Sequence, residues 1–168
     1  MQSKIKLGGS FFVRCLDPVG REKWSDIADN LVVNVGLQHI LDAVLTGATQ
    51  VDPWYIGLTG SAPSPAAADT MASHAGWTEF TAYSGTLRLE YLETRSGQSA
   101  SNAASKAVFV VNSAGQTIGG AFLVSVNSRG TTGGTLLCAA AFTGGNKSAD
   151  ADDTLEVTYT FGAADDGV

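Results

Sequence analysis

The side chains in this chain that could do chemistry are few and mostly alone. His39 precedes Asp42 by three residues in a helix-patterned stretch, which puts both on one helical face. Such a pair could act as a base and its orienting carboxylate, but it is more often a solvated surface contact, and no nucleophile accompanies it. His74 lies between Asp69 and Glu79 in sequence. A histidine and two carboxylates could hold a metal, yet there is no His-Glu-x-x-His spacing and no second histidine to complete the set. A loop-tethering or interface role is expected for His74 and Asp69. The acidic run Asp150, Asp152, Asp153 looks like part of a calcium loop but lacks its glycine, its distal glutamate and flanking helices, so solvated turn residues are expected. No Gly-x-Ser-x-Gly elbow occurs, and the glycine-rich pieces lie between strands rather than opening a helix, which leaves phosphate cradling unsupported. The expectation is a protein with no catalytic residue, no metal and no cofactor. It is not expected to be an enzyme.

The aromatic and sulfur chemistry is equally limited. Trp24, Trp54 and Trp77 could form a sugar-stacking platform. Trp54 sits in an apolar run and is expected in the core, whereas Trp24 and Trp77 border loops and are the expected exposed contacts. Cys15 and Cys138 both fall inside apolar, strand-like runs, so two buried free thiols are expected. A disulfide between them is the alternative, decided by whether their Cα atoms come within bonding range.

Composition bounds the partners. The 168 residues are most economically one domain, and a chain of this length buries roughly 70% of its unfolded surface. Charged residues make up only 15%, and the gap is filled by Gly, Ala, Ser and Thr. A net charge of −6, with ten scattered basic residues, argues against nucleic acid as a partner. Residues 107–128 carry no charge, but Asn112, Ser113, Gln116 and a glycine pair interrupt them, so they read as two strands and a turn rather than a membrane span. The N-terminus has no signal-peptide pattern, which predicts a soluble protein made in the cytoplasm.

The elements that must position these residues are mostly strands. Residues 154–161 alternate with a period of two, placing Leu155, Val157, Tyr159 and Phe161 on one face. Residues 118–126 and 135–142 are further strands, 77–80 begins another, and 87–92 alternates with Leu87, Leu89 and Tyr91 inward. Asp17-Pro18-Val19-Gly20 fits a type I turn between the N-terminal strand and its partner. One short amphipathic helix is predicted over 35–46, with a stripe of Leu37, Ile40, Leu41, Val44 and Leu45, Asn34 as its N-cap and Gly47 ending it. Residues 59–76 form a long loop holding Pro63 and Pro65, and 96–105 a second, polar one. The predicted fold is all-β, an antiparallel β-sandwich or jelly-roll-like arrangement with that one helix. Residues 1–161 make a single β-rich domain, and 162–168 a loose tail.

Several blocks occur together in an order that resembles a known family. They are Trp24; residues 30–37 (Asn-Leu-Val-Val-Asn-Val-Gly-Leu); 54–58 (Trp-Tyr-Ile-Gly-Leu); Asp69-Thr70 through Gly76-Trp77-Thr78-Glu79; 120–125; and 153–161. From about Phe11 to Phe161 the chain resembles small virion structural proteins of tailed bacteriophages. It departs from the pattern at Asp152-Asp153, where Gly-Asp would stand. The resemblance implies a particle component: first a capsid decoration (cement) protein on the outer head shell, and second a tail or head-to-tail joining component. Its implied partners are the major capsid protein and copies of itself, as a homotrimer or dimer, with the virion surface as its place. Cementing works by bridging several subunits at once, so that modest contacts add. The candidate interface comprises Trp24, Pro63, Pro65, Asp69, His74, Trp77 and Arg129, in and around the 59–76 loop, with the N-terminal strand and the 127–134 turn. A carbohydrate-binding attachment module is the alternative from a different class.

Overall fold

A computed structural model describes residues 4–165. Strand follows strand as the alternating apolar pattern requires: β1 (Ile5–Leu16), β2 (Glu22–Asp29) and β3 (Leu31–Val32) precede helix α1 (Asn34–Leu41). Then come β4 (Tyr55–Thr59), β5 (Leu89–Glu90), β6 (Thr94–Ser96), β7 (Ser99–Ser101) and β8 (Ala107–Val110). The chain closes with β9 (Gln116–Ile118), β10 (Gly120–Val124), β11 (Leu136–Ala141), β12 (Lys147–Ala149) and β13 (Thr154–Asp165).

These strands make two antiparallel sheets that face each other, with a small β9–β12 pair beside them. The first sheet runs β2-β1-β13-β7-β6, with β8 also on β13; the second runs β3-β11-β10-β4-β5. The fold is the expected all-β sandwich. Its long axis is the β1–β13 ladder, which holds register from Ile5↔Asp165 to Leu16↔Thr154. Phe11, Val13 and Cys15 of β1 and Leu155, Val157 and Tyr159 of β13 point inward against Ile56, Leu58, Ala121, Leu123 and Cys138 of the second sheet. Gly20 donates to the Asp17 carbonyl at 2.9 Å, closing the predicted turn between β1 and β2.

The second sheet is buried on both faces. Phe122, Val124, Leu136 and Ala139 form a separate cluster on its outer side with Met71 and Trp77. Those last two belong to the long loop after β4, which crosses this face. The loop is held by Gly60 N–H to the Thr78 carbonyl (2.9 Å), Asn34 N–H to the Ala67 carbonyl (2.8 Å) and Ala62 N–H to Asn146 Oδ1 (2.7 Å). Gly57, directly opposite Phe122, leaves room for that ring: a Cβ at position 57 would stand 2.2 Å from it.

Four expectations need correction. The segment after Phe161 does not begin as a loose tail, because β13 continues to Asp165 and pairs with the start of β1; residues 166–168 lie outside the described residues. In the 87–92 stretch Arg88, not Leu87, is buried, because the segment enters a β-strand only at Leu89–Glu90 and Leu87 is instead bridged to Ser128 at the surface. Residues 77–80 make a single bridge, Thr59↔Glu79, rather than a strand. The 96–105 loop is a hairpin, β6–β7, turned at Gly97, followed by a break at Asn102. There the buried Asn102 side chain replaces a strand partner: its Oδ1 accepts the Tyr159 N–H at 2.7 Å, and its Nδ2 donates to the Val157 carbonyl at 3.1 Å.

The helix is also shorter than its stripe. α1 ends at Leu41 and continues as a π-helical turn, Asp42–Thr46, closed by left-handed Gly47 (φ 76°) as expected. Val33, not Asn34, is its N-cap, and no side chain caps it. Leu37 and Ile40 pack on the core, while Leu41, Val44 and Leu45 are 56%, 73% and 74% exposed. A π turn takes more residues per turn than an α turn, so it carries Val44 and Leu45 off the line of an α-periodic stripe, whereas Leu41 is exposed at the end of α1 itself.

Candidate functional site

The residues singled out from sequence are placed by the fold as follows. Trp24 is half-buried on β2; its Nε1 donates to the Ser148 carbonyl at 2.7 Å, and its ring tilts against Phe142. Trp77 is 4% exposed, packed 5.0 Å from the Phe122 ring, so the expected exposed contact is a core residue. His74 stacks on Trp77 at 3.8 Å. Pro63 is buried with its ring against Gly120, and Pro65 is half-buried. Asp69 is buried and accepts the Ala66 N–H at 2.9 Å, fixing the loop from within. The fold brings Pro63, Asp69, His74 and Trp77 together as the cover of one sheet face. Apolar loop residues crossing an apolar face must bury, and this converts an expected docking loop into a second core.

Arg129 is half-buried. It donates to the Tyr83 carbonyl at 2.9 Å and lies over the Tyr83 ring, 4.8 Å from its centroid. Beside it is a buried network that the sequence pattern hid. Arg88 makes a two-pronged contact with Glu79, both at 2.8 Å, and donates to the carbonyls of Val126 and Thr131 at 3.0 Å. Glu79 also accepts the Gly130 N–H at 2.7 Å. These bonds clamp the 127–134 turn from below. Burial, aided by nearby Glu79, pushes the Tyr83 phenol up to about 12. The only signal for this network in sequence was a lone arginine inside an alternating apolar run.

The groups with possible chemistry are engaged structurally. His39 accepts the Val51 N–H on Nε2 (3.3 Å) and sits edge-on to Trp54; it does not bond Asp42, whose Oδ1 takes the Thr46 hydroxyl at 3.3 Å. In the acidic run, the place a cation would take is filled by Lys23, whose ammonium lies 2.6 Å from buried Asp153 and 3.2 Å from Asp150. The Gly115 N–H and then Lys23 hold Asp150 below its ordinary value. Asp152 adopts φ 67°, the left-handed conformation, at the position where the resemblance calls for glycine. Cys15 and Cys138 are free and buried. Burial, then the Asp153 charge, pushes the Cys15 thiol up to about 12; burial pushes Cys138 up to about 11. Among the described residues no three His, Cys, Asp or Glu side chains converge to hold a metal, and no helix is long and apolar enough to cross a membrane.

Two clefts stay open among the described residues: a polar one of about 650 Å³ along the β1–β13 ladder, with Lys6, Ser10, Asp29, Asn30 and Gln98 in its wall, and an apolar one. The apolar cleft, of about 370 Å³, lies between the end of α1 and the open end of the sandwich, walled by Ile40, Ala43, Trp54, Tyr91, Leu137 and Phe161. Its position follows from a β-bulge: β11 slips register between Leu136 and Cys138, so Leu137 and Cys138 both face the inner side. Gly36 docks α1 on the Leu137 backbone at that bulge. Leu41, Val44 and Leu45 stand uncovered on the helical turn that borders the cleft. A second exposed set, Phe12 opposite Ile27 with Val108 and Val110, lies on the outer face of the first sheet around the Arg14–Glu156–Lys106 cluster.

No family model, no curated protein and no solved structure matches the chain.

Proposed function

We propose that this protein is a structural component of a tailed-bacteriophage virion, a decoration protein that binds and reinforces the outer head shell, with the major capsid protein as its partner. The observation that carries the reading is the uncovered apolar triad Leu41, Val44 and Leu45 on one exposed helical turn. A contiguous apolar surface of this kind on a rigid sandwich suits protein partners. The phage assignment itself rests on the order of sequence blocks from Phe11 to Phe161. A tail or head-to-tail joining role uses the same surface and is the second reading. The sugar platform expected from Trp24 and Trp77 does not form, since Trp77 is buried.

Purified virions, separated into heads and tails and probed for this chain, test the proposal. Recovery with heads, and rebinding of the purified protein to shells stripped of it, is the expected result. Recovery with tails alone selects the joining role. Absence from particles overturns both.

A further inference from the structure

We infer that the cleft beside the π-helical turn receives the N-terminal arm of a second copy of this chain, with Ile5 as the inserted side chain. The cleft is apolar inside and acidic around. Glu93 lines it, and Asp42 and Asp52 lie on the segments that wall it, with Glu90 on the neighbouring strand. None of these four carboxylates forms an ion pair among the described residues. From Trp24 through Leu87 the sequence contains no lysine or arginine at all. The occupant with complementary charge is an apolar side chain flanked by cations.

The chain carries such a segment. Ile5 is 76% exposed and stands between Lys4 and Lys6, both exposed and neither within ion-pair distance of a carboxylate among the described residues. The backbone presents it as an arm. β2 covers β1 only from Ser10 onward, and β7 covers β13 only as far as Gly162, so residues 5–7 and 163–165 form a two-stranded ribbon beyond the sheet. Arm and cleft lie at the same end of the sandwich: Phe161, which lines the cleft, pairs with Gly9, four residues from Ile5. Within one copy Ile5 stays in solvent. Two copies meeting at this end about a two-fold axis each offer an arm and each receive one, the self-complementary arrangement that closes a dimer. Apolar burial supplies affinity. Lys6 leaves the strand on the face opposite Ile5, so the lysines reach the rim carboxylates only along their long flexible stems, fixing register and speeding encounter with a dependence on salt.

The test is sedimentation equilibrium of the full chain, read apart from particles, so that it succeeds or fails independently of the virion assignment. The wild type is expected to dimerise. Ile5→Asp, Lys4→Glu with Lys6→Glu, and Asp42→Lys with Glu93→Lys should each weaken the dimer at least about ten-fold. Combining the two charge reversals should recover most of the loss. All exchanged side chains are exposed, and unchanged circular dichroism confirms folding. A wild type that stays monomeric, an Ile5→Asp dimer as tight as wild type, or reversals that add rather than cancel overturns the inference. A monomer whose attachment to shells is nevertheless weakened by Glu93→Lys assigns the cleft to the shell protein, and also overturns it.

Discussion

Arg88 shows how one residue can carry a region of the fold. Its guanidinium is buried and holds Glu79, Val126 and Thr131 together, so removing it leaves a buried carboxylate without its partner. Arg88→Ala is expected to cost about 3–5 kcal/mol, measured by urea unfolding. Arg88→Lys should recover only part of that, since an ammonium cannot match the two-pronged contact. The thiols give a second residue-scale expectation. With both raised by burial, neither Cys15 nor Cys138 should react with a thiol reagent in the native protein at neutral pH, and both should react in denaturant. Rapid modification of either one in the folded state would show that the sandwich opens. Asp152 was visible in sequence as a departure, and its left-handed φ explains why: aspartate tolerates that conformation, and glycine occupies it more readily. The Arg88 network was not visible, because an alternating pattern defines two faces without saying which is inside. Leu89 and Tyr91 do face the core as the alternation suggested, and only at Leu87 and Arg88, ahead of the strand, does a buried ion pair reverse it.

At the scale of elements, the long loop after β4 is a wall of the molecule. Pro63 packs on Gly120, and Met71 and Trp77 close over Phe122. Deleting residues 61–68 is therefore expected to unfold or strongly destabilise the domain, and Trp77→Ala to cost about 3–5 kcal/mol, both read by thermal unfolding. A deletion that left the melting temperature unchanged would return the loop to the role of a free contact. The helix gives the opposite lesson. Leu41→Ala should change stability little because Leu41 is largely exposed, whereas Ile40, packed on the core, should be costly to truncate. Sequence periodicity located the long strands, the first turn and the left-handed Gly47, because each of these is set by local pattern. It could not locate the two- and three-residue strands or the π turn. Those depend on neighbours distant in the chain: β6 and β7 exist only because β13 runs past Phe161 to receive β7, and the helix stops being α-helical where its contact with β11 and the core ends.

Across the whole molecule, ionisable groups are arranged to favour folding near neutrality, and the sign of each shift says where that support is lost. Lys106 and Arg14 hold Glu156 below its ordinary value, the Gly115 N–H and Lys23 do the same for Asp150, and the Arg21 N–H does so for Asp17. A carboxylate depressed by folding contributes stability that is present above its unfolded pKa, near 4, and lost as pH falls through the folded value. The thiols act on the alkaline side. Their raised values contribute stability that is complete below the unfolded thiol pKa, about 8.5, and is lost as pH climbs toward about 11 for Cys138 and about 12 for Cys15. Melting temperature plotted against pH should therefore be flat from about 5 to 8 and fall on both sides. Glu156→Gln should shrink the acid limb, because the depressed carboxylate that feeds it is gone. Cys15→Ala should shrink the alkaline limb, at the cost of a small cavity in the core. A profile with a maximum at the isoelectric point near 4.7 would show instead that net charge, rather than these particular contacts, governs stability.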